Sequence, residues 1–281
     1  MNKTVKRYFP VFVLPTLIAF LIAFVIPFIM GVALSFTEFR TVTDATFVGF
    51  SNYVRAFTDD RQFLDALWFT VKFVIVSVIG INVIAFILAM LFTRSLPGTN
   101  FFRTVFFMPN LIGGIVLGYI WQLIINGVLY RYSYSITSSP VYGFWGLVIL
   151  MHWQMIGYMM IIYIAGIQNI PGDIMEAAKV DGAGAFTTLF RITIPSVMPS
   201  VTICLFLTLT NSFKLFDQNL ALTAGAPGER TQMVALNIYE TFYSRNGYEG
   251  VGQAKAVIFF IIVAVIALIQ LWLTRRKEVE S

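Results

Sequence analysis

The chain has 281 residues, of which 58% are hydrophobic and only 12% charged, with a formal net charge of +5. A soluble protein carries about 25% charged residues, so most of this surface faces something other than water. One Cys and one His exclude an intrachain disulfide, a cysteine-based metal centre, a zinc site and a Ser-His-Asp triad.

Six apolar runs follow in chain order, over 9–36, 67–92, 105–126, 143–166, 196–216 and 255–274. Each reaches the about 20 apolar residues that a helical crossing needs. None shows the short alternating strands of a membrane barrel. The reading is an all-α membrane protein with six transmembrane helices, the whole of 1–281 forming one transmembrane domain. Lys3, Lys6 and Arg7 precede the first run as in a secretion signal. The run exceeds a signal core and lacks a prompt small-residue cleavage pattern, so it is expected to stay as the first helix.

Basic residues set the expected orientation. With the N-terminus inside, the cytoplasmic segments carry Lys3, Lys6, Arg7, Arg94, Arg103, Lys179, Arg191, Arg275, Arg276 and Lys277. The outer loops carry Arg40, Arg55, Arg61, Arg131, Arg230 and Arg245. The excess of Lys and Arg inside places both termini in the cytoplasm. Lys72, Lys214 and Lys255 fall near outer helix ends, and Trp68, Trp145 and Trp272 suit interfacial anchoring. The positive charge flanks apolar runs, so no nucleic-acid partner is expected.

The segment between the fourth and fifth runs, Ile170 to Pro195, is different. Pro171 and Gly172 end one helix, and Asp173 with Glu176 three residues on forms a capping-box pattern. A short helix is expected over Ile174–Val180, stopped by Asp181 and Gly182, followed by a second helix closed before Pro195. Ala177 and Ala178 keep one side low, so a partner can approach closely, and Glu176 adds a charge at its edge.

This segment resembles the EAA loop of ABC importer permeases, with Glu176, Ala177, Ala178, Asp181, Gly182, Ala183, Ile192 and Pro195 in pattern. Nearly the whole chain resembles the MalF-like, maltose and glycerol-3-phosphate type of sugar-importer permease. F-V-G-F-S-N-Y (Phe47 to Tyr53), F-F-R-T-V-F-F-M-P (Phe101 to Pro109) and A-L-T-A-G-A-P-G (Ala221 to Gly228) also carry the likeness. It is the compact six-helix form that the chain resembles, without MalF's large outer domain and leading helices.

The resemblance implies the type I importer, MetI-like fold, in a bacterial cytoplasmic membrane with several crossings. It implies a non-catalytic permease subunit importing a carbohydrate, a di- or oligosaccharide. Loop 170–195 would be a coupling helix docked in a cytoplasmic ATPase, with Glu176 as a charge contact and Gly182 as its turn. The implied partners are a second, MalG-like permease, two copies of the ATPase subunit, an extracytoplasmic solute-binding protein and the lipid bilayer. The outer loop with Gly225, Pro227 and Gly228 is the candidate surface for that binding protein. No cofactor is implied on this chain; ATP and Mg²⁺ belong to the ATPase. Consistently, no G-x-x-x-x-G-K-[ST] phosphate cradle occurs.

Polar residues inside spans are costly and so are candidates for a substrate path. Tyr158 lies in the fourth run, and Thr208, Asn211 and Ser212 share one helical face of the fifth. Set against the family from the EAA loop, Tyr158, Thr208 and Ser212 fall at positions resembling sugar contacts, and Leu215 falls where the family has a polar one. Helix–helix hydrogen bonding is the competing account for Thr208 and Asn211. His152 is expected to pack or hydrogen-bond, and Lys214 to pair with Asp217. An ion-coupled secondary transporter would need buried carboxylates that the runs lack, Asp217 lying at an end. His152 and Cys204 alone make no workable set for an intramembrane enzyme. A glycerol phosphate or another small solute stays open as cargo, Lys214 being the one hint of an anion.

Overall fold

A computed structural model of the protein describes residues 3–41, 43–94 and 97–276. Of the basic residues that set the expected orientation, Lys277 and the side chains of Lys3, Lys6 and Arg7 lie outside that description.

The first run is α1 (Lys3–Phe20), a wide π-turn (Leu21–Val25) and α2 (Ile26–Leu34). The ring of Pro27 would press on the carbonyl of Ala23, and the wide turn that contains Ala23 accommodates it. A two-residue hairpin, β1 (Thr37–Glu38) against β2 (Thr46–Phe47), and α3 (Ser51–Thr58) lead to α4 (Arg61–Phe92). The second span thus starts at Arg61, a turn and a half earlier than the apolar run.

The third run is not one helix, contrary to the expectation over 105–126. It is α5 (Thr99–Phe107), a 3-10 turn (Met108–Leu111), an extended Ile112, and α6 (Gly114–Leu129). Pro109 opens the tight turn, Ile112 with φ −85° and ψ 129° ends it, and Gly113, also extended, is the residue from which α6 starts. Only Gly114–Tyr132 is long and apolar enough to cross. The fourth span is α7 (Pro140–Gln168).

Beyond it come α8 (Gly172–Val180), α9 (Ala185–Thr188), a π-turn (Leu189–Thr193), α10 (Ile194–Ser196) and α11 (Met198–Phe213). Pro195 does not close the second short helix. The helical path runs on through it to Ser196, and the wide π-turn Leu189–Thr193, which contains Arg191 four residues before it, accommodates the ring. The break falls at Val197, where the helical path bends by 70°. Short α12 (Asp217–Leu222) and α13 (Val234–Ser244) precede α14 (Glu249–Arg275). Among the described residues five helices are long and apolar enough to cross a membrane, or six when the bent pair around Val197 counts as one span.

The chain packs as two compact units. One joins the residues up to Arg61 to Ile238–Phe260. In it, the buried Asn52 donates Nδ2–H to the carbonyls of Ser35 at 3.0 Å and Thr37 at 2.8 Å. Gly49 takes a left-handed φ of +60°, and the Tyr53 hydroxyl meets Ser35 Oγ at 2.6 Å. These contacts explain the F-V-G-F-S-N-Y stretch as a structural clasp. The same unit buries charge. Lys255 is 0% exposed, not at an outer helix end as its sequence position suggested, and donates to Asp60 Oδ2 at 2.6 Å and Thr241 Oγ1 at 2.8 Å. Arg245 Nη1 reaches the same Asp60 oxygen at 2.9 Å.

Removing one member of such a buried pair strands the other charge. Asp60→Ala is expected to destabilise the solubilised protein by about 3 kcal/mol. Arg55→Ala, which breaks the partly exposed Arg55–Asp59 pair at 3.3 Å and removes the guanidinium from the Tyr248 ring, should cost about 1 kcal/mol. Thermal unfolding of the two variants in detergent checks the contrast.

The other unit takes Gln62–Asn237 and the chain from Ile261 on. Its core starts on α4, where Phe73, Ser77, Ile81, Ala85 and Ala89 recur every four residues and are buried. Lipid is as apolar as Leu, so helices associate here by close packing and hydrogen bonds rather than by escape from water. Tyr163 O–H donates to Asn82 Oδ1 at 2.7 Å, and Asn82 Nδ2–H donates to Thr208 Oγ1 at 2.9 Å, tying α7, α4 and α11 together. Small residues allow the closest approaches. The Phe106 and Phe107 backbone of α5 lies directly on Gly157 of α7, and His152 lies on Gly80 of α4.

Candidate functional site

Loop 170–195 is two short helices at an exposed corner. Pro171, extended at ψ 133°, stands before α8, and no side-chain bond caps the helix. The Asp173–Glu176 capping box therefore does not form, and α8 begins at Gly172, two residues before the expected start. Asp173 in the first turn and Lys179 in the last complement the helix dipole instead.

The end of α8 follows the expectation in detail. Gly182 has φ +72°, the Gly182 N–H donates to Lys179 O at 3.1 Å, and the Ala183 N–H donates to Ala178 O at 2.9 Å. This pair of bonds satisfies the last carbonyls and needs a residue without Cβ at the turn. Glu176, Ala177, Asp181 and Gly182 are exposed, Ala183 and Pro195 are half-buried, and Ala178 is buried. The low side is thus divided: Ala177 faces out and Ala178 packs inward. Apolar side chains join the exposed face. Val180 is 86% exposed, and Phe186, 80% exposed, stacks on Phe190 with ring centres 6.3 Å apart.

A second feature lies in the same unit. A cavity of about 250 Å³ is lined by Asn110, Met151, Gln154, Met155, Tyr158, Asn211, Lys214, Leu215 and Gln218. It brings Tyr158 and Asn211 together. Tyr158 is half-buried, its ring edge-on to Phe107 at 6.3 Å. Asn211 spends its amide N–H on Leu207 O at 2.8 Å, which leaves its carbonyl for a ligand.

Thr208 and Ser212 are fully buried and do not line the cavity. Thr208 donates to Cys204 O at 2.7 Å besides accepting from Asn82. The Ser212 hydroxyl is buried with no hydrogen-bond partner among the described residues. His152 behaves as expected, its Nδ1 held at 2.7 Å from Val148 O. Lys214 does not pair with Asp217: no such ion pair occurs among the described residues, and Lys214 faces the cavity.

Asn110 and Gln218 escaped the sequence reading. Asn110 hides in a run taken as continuous, although Pro109 beside it and the Gly113-Gly114 pair signal a break. Gln218 stands in α12, just past the end of the fifth run. The Gln218 Nε2–H donates to Gln154 Oε1 at 2.9 Å, and Gln154 Nε2 faces Ile112 O at 3.4 Å, a carbonyl freed by the break in the third span.

Residues 81–279 match the family described as binding-protein-dependent transport system inner membrane component. A "probable starch degradation products transport system permease protein" of Thermoanaerobacterium thermosulfurigenes is 47% identical, over 96% of this chain and 94% of the relative. A "multiple sugar-binding transport system permease protein" of Streptococcus mutans is 28% identical, with 99% of both chains aligned. Among solved structures, a chain of a bacterial alginate ABC transporter, in complex with alginate pentasaccharide-bound periplasmic protein, superimposes with a TM-score of 0.80 at 22% identity. That match covers 98% of this chain and 96% of the other.

Proposed function

The chain belongs to the binding-protein-dependent transport system inner membrane components, and from that premise we propose that it forms half of a translocation path for a neutral di- or oligosaccharide. It is a multi-pass, non-catalytic permease subunit of an ABC importer working with a solute-binding protein; ATP hydrolysis belongs to a separate subunit. The finer assembly is our reading. A second, MalG-like permease completes the path, two copies of the ATPase drive it, and both termini lie in the cytoplasm. The whole chain acts as one transmembrane domain.

One observation carries the cargo: a cavity among apolar spans whose polar lining is four amides (Asn110, Gln154, Asn211 and Gln218) and the Tyr158 ring, with Lys214 its one charged group. Amides and hydroxyls bond a sugar's hydroxyl groups, and an aromatic ring stacks on its C–H face. The starch-product relative supports the same cargo class. We assign direct contact to Tyr158 and Asn211, and to Thr208 and Ser212 the packing that holds α11 in place. We assign ATPase docking to the exposed Glu176, Ala177, Asp181 and Gly182, and to Ala183, Pro195 and the inward-packed Ala178 the support of that surface.

The test is uptake of labelled maltotriose by proteoliposomes holding the complete importer, with its binding protein outside and ATP inside. Uptake is expected to need both. Tyr158→Ala should lower apparent affinity about tenfold, the cost of losing one stacked ring and its hydroxyl bond. Uptake that follows an imposed ion gradient without ATP would point to secondary transport instead.

A further inference from the structure

The amide pair at the cavity wall is built with more care than a chance contact. Helix α12 is seated on α6 along a four-residue stripe, Gly114, Gly118 and Gln122. A Cβ on Gly118 would stand 2.5 Å from Ala221 Cβ, and one on Gly114 would stand 2.8 Å from Asp217 Cβ and 3.0 Å from Gln218 Cδ. Gln122 Nε2–H donates to Leu222 O at 2.9 Å and pins the far end of α12. This seat fixes where Gln218 points. Across the cavity wall, Gln154 is 8% exposed, and its amide is oriented because Nε2 faces Ile112 O. Its Oε1 is thereby turned to Gln218.

We propose that the Gln154–Gln218 hydrogen bond is a latch that a hydroxyl of the transported sugar opens, making Gln218 a specificity-determining residue. The proposal rests on the carbohydrate reading above. The chemistry is one of matched roles. Opening the latch exposes one N–H donor on Gln218 and one acceptor oxygen on Gln154. A hydroxyl accepts from the first and donates to the second, so neither group is left unpaired. A carboxylate or phosphate oxygen can accept but not donate, so it leaves Gln154 Oε1 facing an anion. An apolar group leaves both unsatisfied, and unmade hydrogen bonds of buried groups are what discriminate most strongly between similar ligands. The latch therefore favours polyols over apolar solutes of the same size, and against anions it works in opposition to the Lys214 ammonium that lines the same cavity.

Two measurements test it, both on the complete importer in proteoliposomes. The first compares maltotriose with its monodeoxy analogues. In the wild type one deoxy analogue is expected to have a KM raised roughly fivefold, the worth of one hydrogen bond. In Gln218→Leu that discrimination should vanish while binding-protein-stimulated ATP hydrolysis persists. Equal loss for all sugars in Gln218→Leu, or unchanged discrimination, would overturn the latch. The second measurement needs no sugar preference. In a Gln154→Cys/Gln218→Cys variant a short bis-thiosulfonate cross-linker should join the two positions at rest and fail when the complex is trapped with vanadate and binding protein. The native Cys204 is buried and stays silent. Equal cross-linking in both states would overturn opening of the latch. A wild type that carries no neutral oligosaccharide would instead refute the carbohydrate reading, with the cross-link result still deciding whether the pair separates.

Discussion

Gly182→Pro is expected to abolish ATP-driven uptake while the permease still reaches the membrane, and Glu176→Lys to do the same. Gly182 holds φ +72° and donates its N–H to Lys179 O. Proline fixes φ near −65° and has no N–H, so both the turn and one of the two bonds that end α8 are lost. The rod then no longer meets α9 at its built angle. Glu176 is exposed on α8 beside Ala177, and Lys inverts its charge without touching the fold of the chain. A coupling element transmits rigid-body motion only through a docked, stiff contact, so the expected loss of uptake exceeds a hundredfold, with ATPase activity falling out of step with the binding protein. Membrane fractionation with vesicle uptake reads both quantities. Normal transport by both variants would refute the coupling role of 170–195.

Gly157→Val should be more damaging still, because it removes the folded protein rather than its coupling. The backbone of Phe106 and Phe107 rests on Gly157, and backbone cannot swing aside as a flexible side chain does. A branched side chain there must drive α5 from α7, shift Tyr158 and Asn110 at the cavity edge, and cost more than about 4 kcal/mol. Detergent-solubilised Gly157→Val is expected to aggregate on size-exclusion chromatography. Gly127→Val, at a glycine whose added Cβ would meet nothing within 4 Å, should elute like the wild type. A monodisperse Gly157→Val protein would show that the α5–α7 contact is not required.

What could be read from residues follows the kind of signal each leaves. The crossings are legible because about 20 apolar residues in a row have no other common use, and four of the six runs coincide with single long helices or a continuous helical path. The turn of the coupling loop is legible because Asp181-Gly182 acts locally: a left-handed position after a helix wants a residue without Cβ. The break in the third run was missed because hydropathy averages over Pro109 and the glycines beside it. The Asp173–Glu176 box was misread because Pro171 already shapes the helix start.

Sequence alone thus determined the class of molecule, its membrane helices and the coupling turn, since these depend on composition and on neighbours a few residues apart. Tertiary structure decided which polar groups face the cavity. Thr208 and Asn211 lie three residues apart on one face of α11, yet Asn82, 126 residues away, claims Thr208 and leaves Asn211 to the opening. It also decided that Lys255 is a buried partner of Asp60 and that Gln218 meets Gln154. A polar side chain inside a membrane protein must find a partner, and the identity of that partner depends on which helices pack together, which no local pattern records.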